Sequence, residues 1–202
     1  MSEVVARVIE LFESTCCKQF ESMHCEIHPL NKADATPRDS SICSSISCFS
    51  DDIAMTLTIA ADKGFLVNTI PMIGGQRLDT LSFQKDWCLE LANRFLGRLK
   101  NKLLSHNCTL SMGLPVLIDV SEYRKLAPHS DISRFFEIDG LGQEHQIRCI
   151  LSVNMLNDEM VLDDYEDEDE DSEDDQNRFV QTFFSYLYMI FLHYFSCTDD
   201  MF

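Results

Sequence analysis

Two rhythms of apolar residues run along this chain. Between residues 3 and 23, Val4, Val8, Leu11, Phe12 and Thr15, with Gln19 and Phe20 at the margin, recur at helical spacing and predict a first amphipathic helix. From His28-Pro29-Leu30 to Ser41 the pattern lapses into a polar, proline-containing loop. The period then falls to two. Ile42–Phe49 alternates serine with apolar residues, and Asp52–Ile59 sets Ile53, Met55, Leu57 and Ile59 against Ala54, Thr56 and Thr58. Both predict strands, joined by a turn at Ser50-Asp51-Asp52. Ala60–Thr69 reads as a short helix on the sheet, ended by Pro71 and Gly74-Gly75.

The longest uninterrupted pattern is Phe83–Leu104, which lacks proline and is rich in good helix formers. At about 100° per residue, Cys88, Leu91, Ala92, Phe95, Leu96, Leu99 and Leu103 share one side. Asp86, Glu90, Asn93, Gly97 and Asn101 lie almost opposite. Downstream, Thr109–Val120 reads as a strand broken by Gly113-Leu114-Pro115, a composition suited to a sheet edge or bulge. Residues 121–133 read as a polar loop. Arg134–Ile138 and Gln146–Met155 form a closing hairpin around Asp139-Gly140-Leu141-Gly142. This order predicts an α+β fold, an antiparallel sheet packed by two long amphipathic helices.

Composition sharpens the boundaries. The chain has 202 residues, 45% of them hydrophobic, enough for one proper core with a remainder. Its net charge of −18 is unevenly spread: residues 158–175 carry 13 acids and no Lys or Arg, which leaves only −4 for residues 1–157. We therefore divide the chain into a domain at 1–156, an acidic disordered linker at 157–177, and an aromatic-rich, helical C-terminal segment at 178–202. The body has no basic footprint for nucleic acid. The aromatic segment is diluted by Gln181, Thr182, Ser185 and His193 and lacks flanking Lys/Arg clusters, so a helix docked on protein is favoured over membrane association. Nine cysteines, scattered apart from Cys16-Cys17, follow an N-terminal stretch with no signal-peptide pattern. They predict reduced, buried thiols in a cytoplasmic protein.

Little of this composition offers catalysis. His24, Cys25 and His28 lack a second pair to complete a metal site, and Gly74-Gly75 lacks the Lys-Ser/Thr of a phosphate loop. No serine or cysteine sits in a nucleophile elbow. The polar face of the long helix is different. Glu90 and Asn93, three apart, lie side by side. Such pairs are usually a solvated helix face, but Gly97 follows one turn later. An exposed mid-helix glycine costs about 1 kcal/mol relative to alanine. Close approach of another surface would account for it.

Residues 4–156 resemble the CheX branch of the CheC/CheX/FliY chemotaxis phosphatases. The resemblance rests on Glu90-Leu-Ala-Asn93-Arg-Phe-Leu-Gly97 against the family's Glu-x-x-Asn-x-x-x-Gly, on the Gly113-Leu114-Pro115-Val116 strand one loop later, and on element order. It departs at Leu89 and Leu96, where the family usually has small residues, and Glu10-x-x-Glu13 in the first helix leaves one site per chain. The resemblance implies dephosphorylation of the aspartyl phosphate of a CheY-type response-regulator receiver. Asn93 would orient the attacking water and Glu90 would pair with the receiver's lysine. Asp86, Arg94, Gly97 and Asn101 would form the partner-binding rim, with Arg94, Arg98 and Lys100 suiting an acidic receiver pocket. It implies no cofactor bound by this chain, Mg²⁺ on the receiver, and a possible homodimer. Two other classes remain open: a non-catalytic receiver-docking module, and an acidic adaptor using its aromatic tail.

Overall fold

The period-two runs become the centre of the sheet. Ile42–Phe49 forms β2 and Ile53–Ala61 forms β3, paired antiparallel with Ile46 opposite Leu57. One face of the pair carries Ile42, Ile46 and Cys48 with Ile53, Met55, Leu57, Ile59 and Ala61, all buried. The other carries hydroxyls that bond across the strands: Ser45 to Thr58 at 3.1 Å and Ser47 to Thr56 at 2.9 Å. This is the two-faced alternation of an antiparallel sheet with its main core on one side.

The computed structural model describes residues 2–21, 25–30, 37–70, 80–126, 133–140 and 143–163. In chain order its elements are α1 (Glu3–Glu21), β1 (Cys25–Leu30), β2, β3, α2 (Lys63–Thr69), α3 (Leu81–Ser105), β4 (Ser111–Met112), β5 (Val116–Ile118), α4 (Val120–Leu126), β6 (Ser133–Gly140) and β7 (Gln143–Met155). The strands run in the order β1-β6-β7-β3-β2, all antiparallel, and β4 and β5 share the outer edge of β2. The fold is therefore the expected α+β architecture, with α1 and α3 packed on the apolar face. The expected hairpin of β6 and β7 is formed, with Ile138 opposite Ile147, but pairing runs on through Asp139 and Gly140, which the sequence placed in the turn.

Three segments differ from expectation. The loop anticipated from His28 begins with a strand, because β1 pairs with β6 across Cys25–Leu30. It lies at the sheet edge, where a proline such as Pro29 is tolerated since one side of the strand needs no ladder partner. Ala60 and Ala61 belong to β3 rather than to the helix, since pairing with Arg148 and Ile147 carries the strand onward and α2 starts only after Asp62. The polar loop at 121–133 contains α4. Its start carries the return half of a capping box, the Asp119 backbone N–H donating to Glu122 Oε2 at 3.2 Å, while the Asp119 backbone carbonyl accepts from the Glu122 and Tyr123 amides. Tyr123 is buried on the hydroxyl side of the sheet among Cys43, Ala60 and Ile150.

Beyond β7 the described chain stays on the body. Asn157 Nδ2 donates to Asp52 Oδ1 at 2.7 Å, Met160 and Leu162 pack against the core, and Asp163 O lies 2.7 Å from His106 Nδ1. Residues 164–202, which hold most of the expected acidic linker and the whole aromatic segment, lie outside the described residues, as do His24 and Gly74-Gly75. Truncation after Asp163 is expected to keep the stability of this body, whereas truncation after Met155 should cost about 1–3 kcal/mol by uncovering core. Denaturant midpoints of the two truncated chains check this; equal midpoints would show that residues 156–163 contribute nothing.

Candidate functional site

The site is built on α3, and its ends explain why the helix runs so far. Thr80 caps the N-terminus, its hydroxyl accepting from the Phe83 amide at 3.5 Å. Asn107 ends the helix in the left-handed region (φ 61°), a conformation asparagine tolerates, and the Cys108 amide returns to Leu103 O at 2.9 Å. Between these ends every residue of the expected stripe is buried: Cys88, Leu91, Ala92, Phe95, Leu96, Leu99 and Leu103, joined by Gln84 and Trp87.

Polar pins fix how the helix is seated on β2. Ser44 Oγ donates to Cys88 O at 3.0 Å, and Cys88 Sγ donates to Ile42 O at 3.4 Å. On the α1 side, Lys102 Nζ donates to Ser14 Oγ at 3.0 Å. With the stripe held down, the opposite face must turn outward. Asp86 and Asn101 are exposed; Glu90, Asn93, Arg94 and Gly97 are half-buried. All six residues expected at the site therefore lie on one helix. Among the described residues the Asn93 carboxamide has no hydrogen-bond partner. Glu90 accepts from Arg94 Nε through Oε1 at 3.1 Å.

Arg94 is not a loose rim cation. Its side chain is only 15% exposed and Glu90's 23%. The guanidinium lies over the ring of Trp87, 4.7 Å from the centroid, and the indole N–H donates to Thr69 Oγ1 of α2 at 2.9 Å. Burial works against the guanidinium's charge and lowers its pKa from the ordinary value, while the bond to Glu90 pushes the other way. Trp87 lies outside the residues expected at the site. Its signal was spacing: Trp87, Glu90 and Arg94 stand at i, i+3 and i+7, neighbours along one helical edge.

Gly97 has no reason internal to the fold. A Cβ built there meets only the Cε of Met112, at 4.0 Å, an ordinary contact. At Gly113 a Cβ would lie 3.4 Å from Ser47 O, and the Gly113 amide donates to that same oxygen at 2.8 Å, which holds the chain on β2 between β4 and β5. The outer edge beyond it is apolar and exposed at Leu114 (88%) and Val116 (54%).

Other chemistry is sparse. Cys16, Cys43, Cys48, Cys88, Cys108 and Cys149 are free and buried, and burial pushes the Cys43, Cys48 and Cys88 thiols up to about 12. Such thiols stay protonated and are poor nucleophiles at neutral pH. Among the described residues no group of three or more His, Cys, Asp or Glu side chains could hold a metal ion, and no helix is long and apolar enough to cross a membrane.

No family model and no curated protein matches this sequence. Solved structures do share its fold. Chemotaxis protein CheX from Vibrio vulnificus is similar at TM-score 0.55 and 14% identity, over 76% of this chain and 100% of that one. CheX of Borrelia burgdorferi, solved as a CheX–CheY–BeF3–Mg²⁺ complex, gives TM-score 0.55 and 12% identity over 73% of this chain and 97% of that one. A CheC-like superfamily protein from Shewanella sp. PV-4 gives 0.52 and 12% over the same shares. The fold is thus the CheX-like α+β fold.

Since a Cβ at Gly97 would meet, among the described residues, only the Met112 methyl at an ordinary 4.0 Å, Gly97→Ala should stabilise the free protein by about 0.5–1 kcal/mol, measured by chemical denaturation. A destabilised Gly97→Ala would mean that the fold itself requires the glycine.

Proposed function

We propose that this domain hydrolyses the aspartyl phosphate of a CheY-type receiver, using the outer face of α3 as a docking and catalytic surface. The observation that carries the reading is a half-buried Asn93 carboxamide beside Glu90, without a hydrogen-bond partner among the described residues, one turn before a glycine whose Cβ would meet only an ordinary contact. The CheX-like fold supports it, as does the CheX–CheY complex among the proteins that share that fold.

The proposed chemistry requires little from this chain. An acyl phosphate is already labile, so the task is to place a water for attack and to hold the reacting groups still. A carboxamide can do this because it offers both an acceptor for a water proton and donors for a phosphoryl oxygen. Asn93 takes that part. Glu90 pairs with the cationic side chain that the receiver keeps beside its phosphoryl group. In this reading the receiver, not this chain, would hold Mg²⁺, which would supply charge neutralisation there. Gly97 admits the receiver's backbone, and Asp86 and Asn101 form the polar rim above and below. The reading places the protein in the cytoplasm, where such receivers act.

Asn93→Ala is expected to slow assisted dephosphorylation roughly 30- to 1000-fold, the loss of about 2–4 kcal/mol of transition-state stabilisation. Affinity for a BeF3-charged receiver should change little. Glu90→Ala should weaken binding as well, because its ion pair already exists in the ground-state complex. Decay of phospho-receiver and binding of the BeF3-charged receiver are measured in parallel. An Asn93→Ala protein as fast as the wild type would remove the water-positioning role and leave a docking module.

A further inference from the structure

Arg94 is the feature of α3 that the proposed chemistry leaves unused. A cation on the rim of a docking face would ordinarily extend toward the partner. Here the side chain is folded back, 15% exposed, between the Glu90 carboxylate and the face of Trp87. Trp87 is itself fixed from another helix: its indole N–H donates to Thr69 Oγ1, and Thr69 Oγ1 donates to Phe65 O at 2.9 Å. A continuous set of contacts therefore leads from α2 through the indole and the guanidinium to one carboxylate oxygen of Glu90.

We propose that Arg94 is a positioning residue that presents Glu90, holding Oε1 against the body so that Oε2 faces a cationic group of the docking partner. The inference rests on the reading of α3 as the receiver-docking face and adds a role for a residue that does not itself touch the receiver. The chemistry fits arginine in particular. A planar guanidinium can stack on an indole and donate in its own plane at once, whereas a lysine ammonium is a point charge that cannot do both. A carboxylate has room for more than one donor. A glutamate free to rotate would have to lose that freedom on binding; one already held does not. If Arg94 left this position, the Glu90 carboxylate, only 23% exposed, would lose its ion-pair partner.

The chain contains a single tryptophan, so its emission reports the Trp87 ring alone. In the full chain without any partner, Glu90→Gln should shift Trp87 emission in the wild-type background and leave it unchanged in an Arg94→Leu background, since Arg94 transmits the change. An identical response in both backgrounds, or none in either, would overturn the coupled arrangement. With a BeF3-charged CheY-type receiver, Arg94→Leu should weaken binding roughly 3- to 30-fold while the rate at saturating receiver falls far less. Arg94→Lys should recover only part of the affinity. Thr69→Val, altered at the far end and on another helix, should weaken binding in the same direction by less. Arg94→Leu binding as tightly as wild type, or tighter, would mean that Arg94 competes with the receiver for Glu90, and the proposal fails. If the wild type binds no receiver, the proposed function falls, and the emission cycle decides the Arg94 arrangement on its own.

Discussion

Seating α3 on β2 is the constraint on which the rest depends. Eight buried side chains from Trp87 to Leu103, each worth up to about 1.5–3 kcal/mol for the larger ones, press one side of the helix onto the sheet. Burial alone would tolerate some rotation about the helix axis. The bonds from Ser44 to the Cys88 carbonyl and from Cys88 to the Ile42 carbonyl remove that freedom, because they tie backbone to backbone through short side chains. Ser44 is a polar residue in an apolar layer and is buried at no net cost only while that bond is made. The orientation of Glu90, Asn93 and Gly97 follows from the seating of the opposite face.

The consequence is a candidate docking surface on one helix face. Its polar residues stand on a rigid 25-residue helix, so their spacing is set by helix geometry and does not wait for a loop to order. The split edge strand at β4 and β5 borders this helix, with the Met112 methyl 4.0 Å from where a Gly97 Cβ would stand. A large partner can therefore meet the helix face and the exposed Leu114 edge without entering the core. Such a surface suits a reaction in which the partner brings the labile bond and the metal, and this chain contributes an amide, a carboxylate and close access.

Much of this was legible in the sequence, and the reasons differ by element. The phase of α3 could be read because seven apolar residues define a stripe that no other rotation buries. The β2 and β3 faces could be read because Ser45, Ser47, Thr56 and Thr58 alternate with aliphatics, although Ser44 breaks the pattern on the apolar face. The break at Gly113-Leu114-Pro115 marked an edge because proline and glycine both interrupt a ladder. β1 was missed because its proline argued for a loop and only pairing with β6, more than 100 residues away in sequence, makes it a strand. α4 was missed because seven residues with a single buried tyrosine have little periodicity, although Asp119 and Glu122 carried the capping signature. The packing of Met160 and Leu162 was hidden by the acids around them. Arg94 looked like rim charge because nothing in a helical wheel shows that Thr69 fixes Trp87 beneath it.

The most direct test is the first-order loss of phosphate from a CheY-type receiver, followed with increasing amounts of the wild-type chain and with Mg²⁺ held constant. The account predicts that the decay rate rises with protein concentration and saturates, with half-saturation matching the affinity measured for the BeF3-charged receiver. Saturable binding with a decay rate equal to that of the receiver alone would contradict it: α3 would then be a docking face without catalysis.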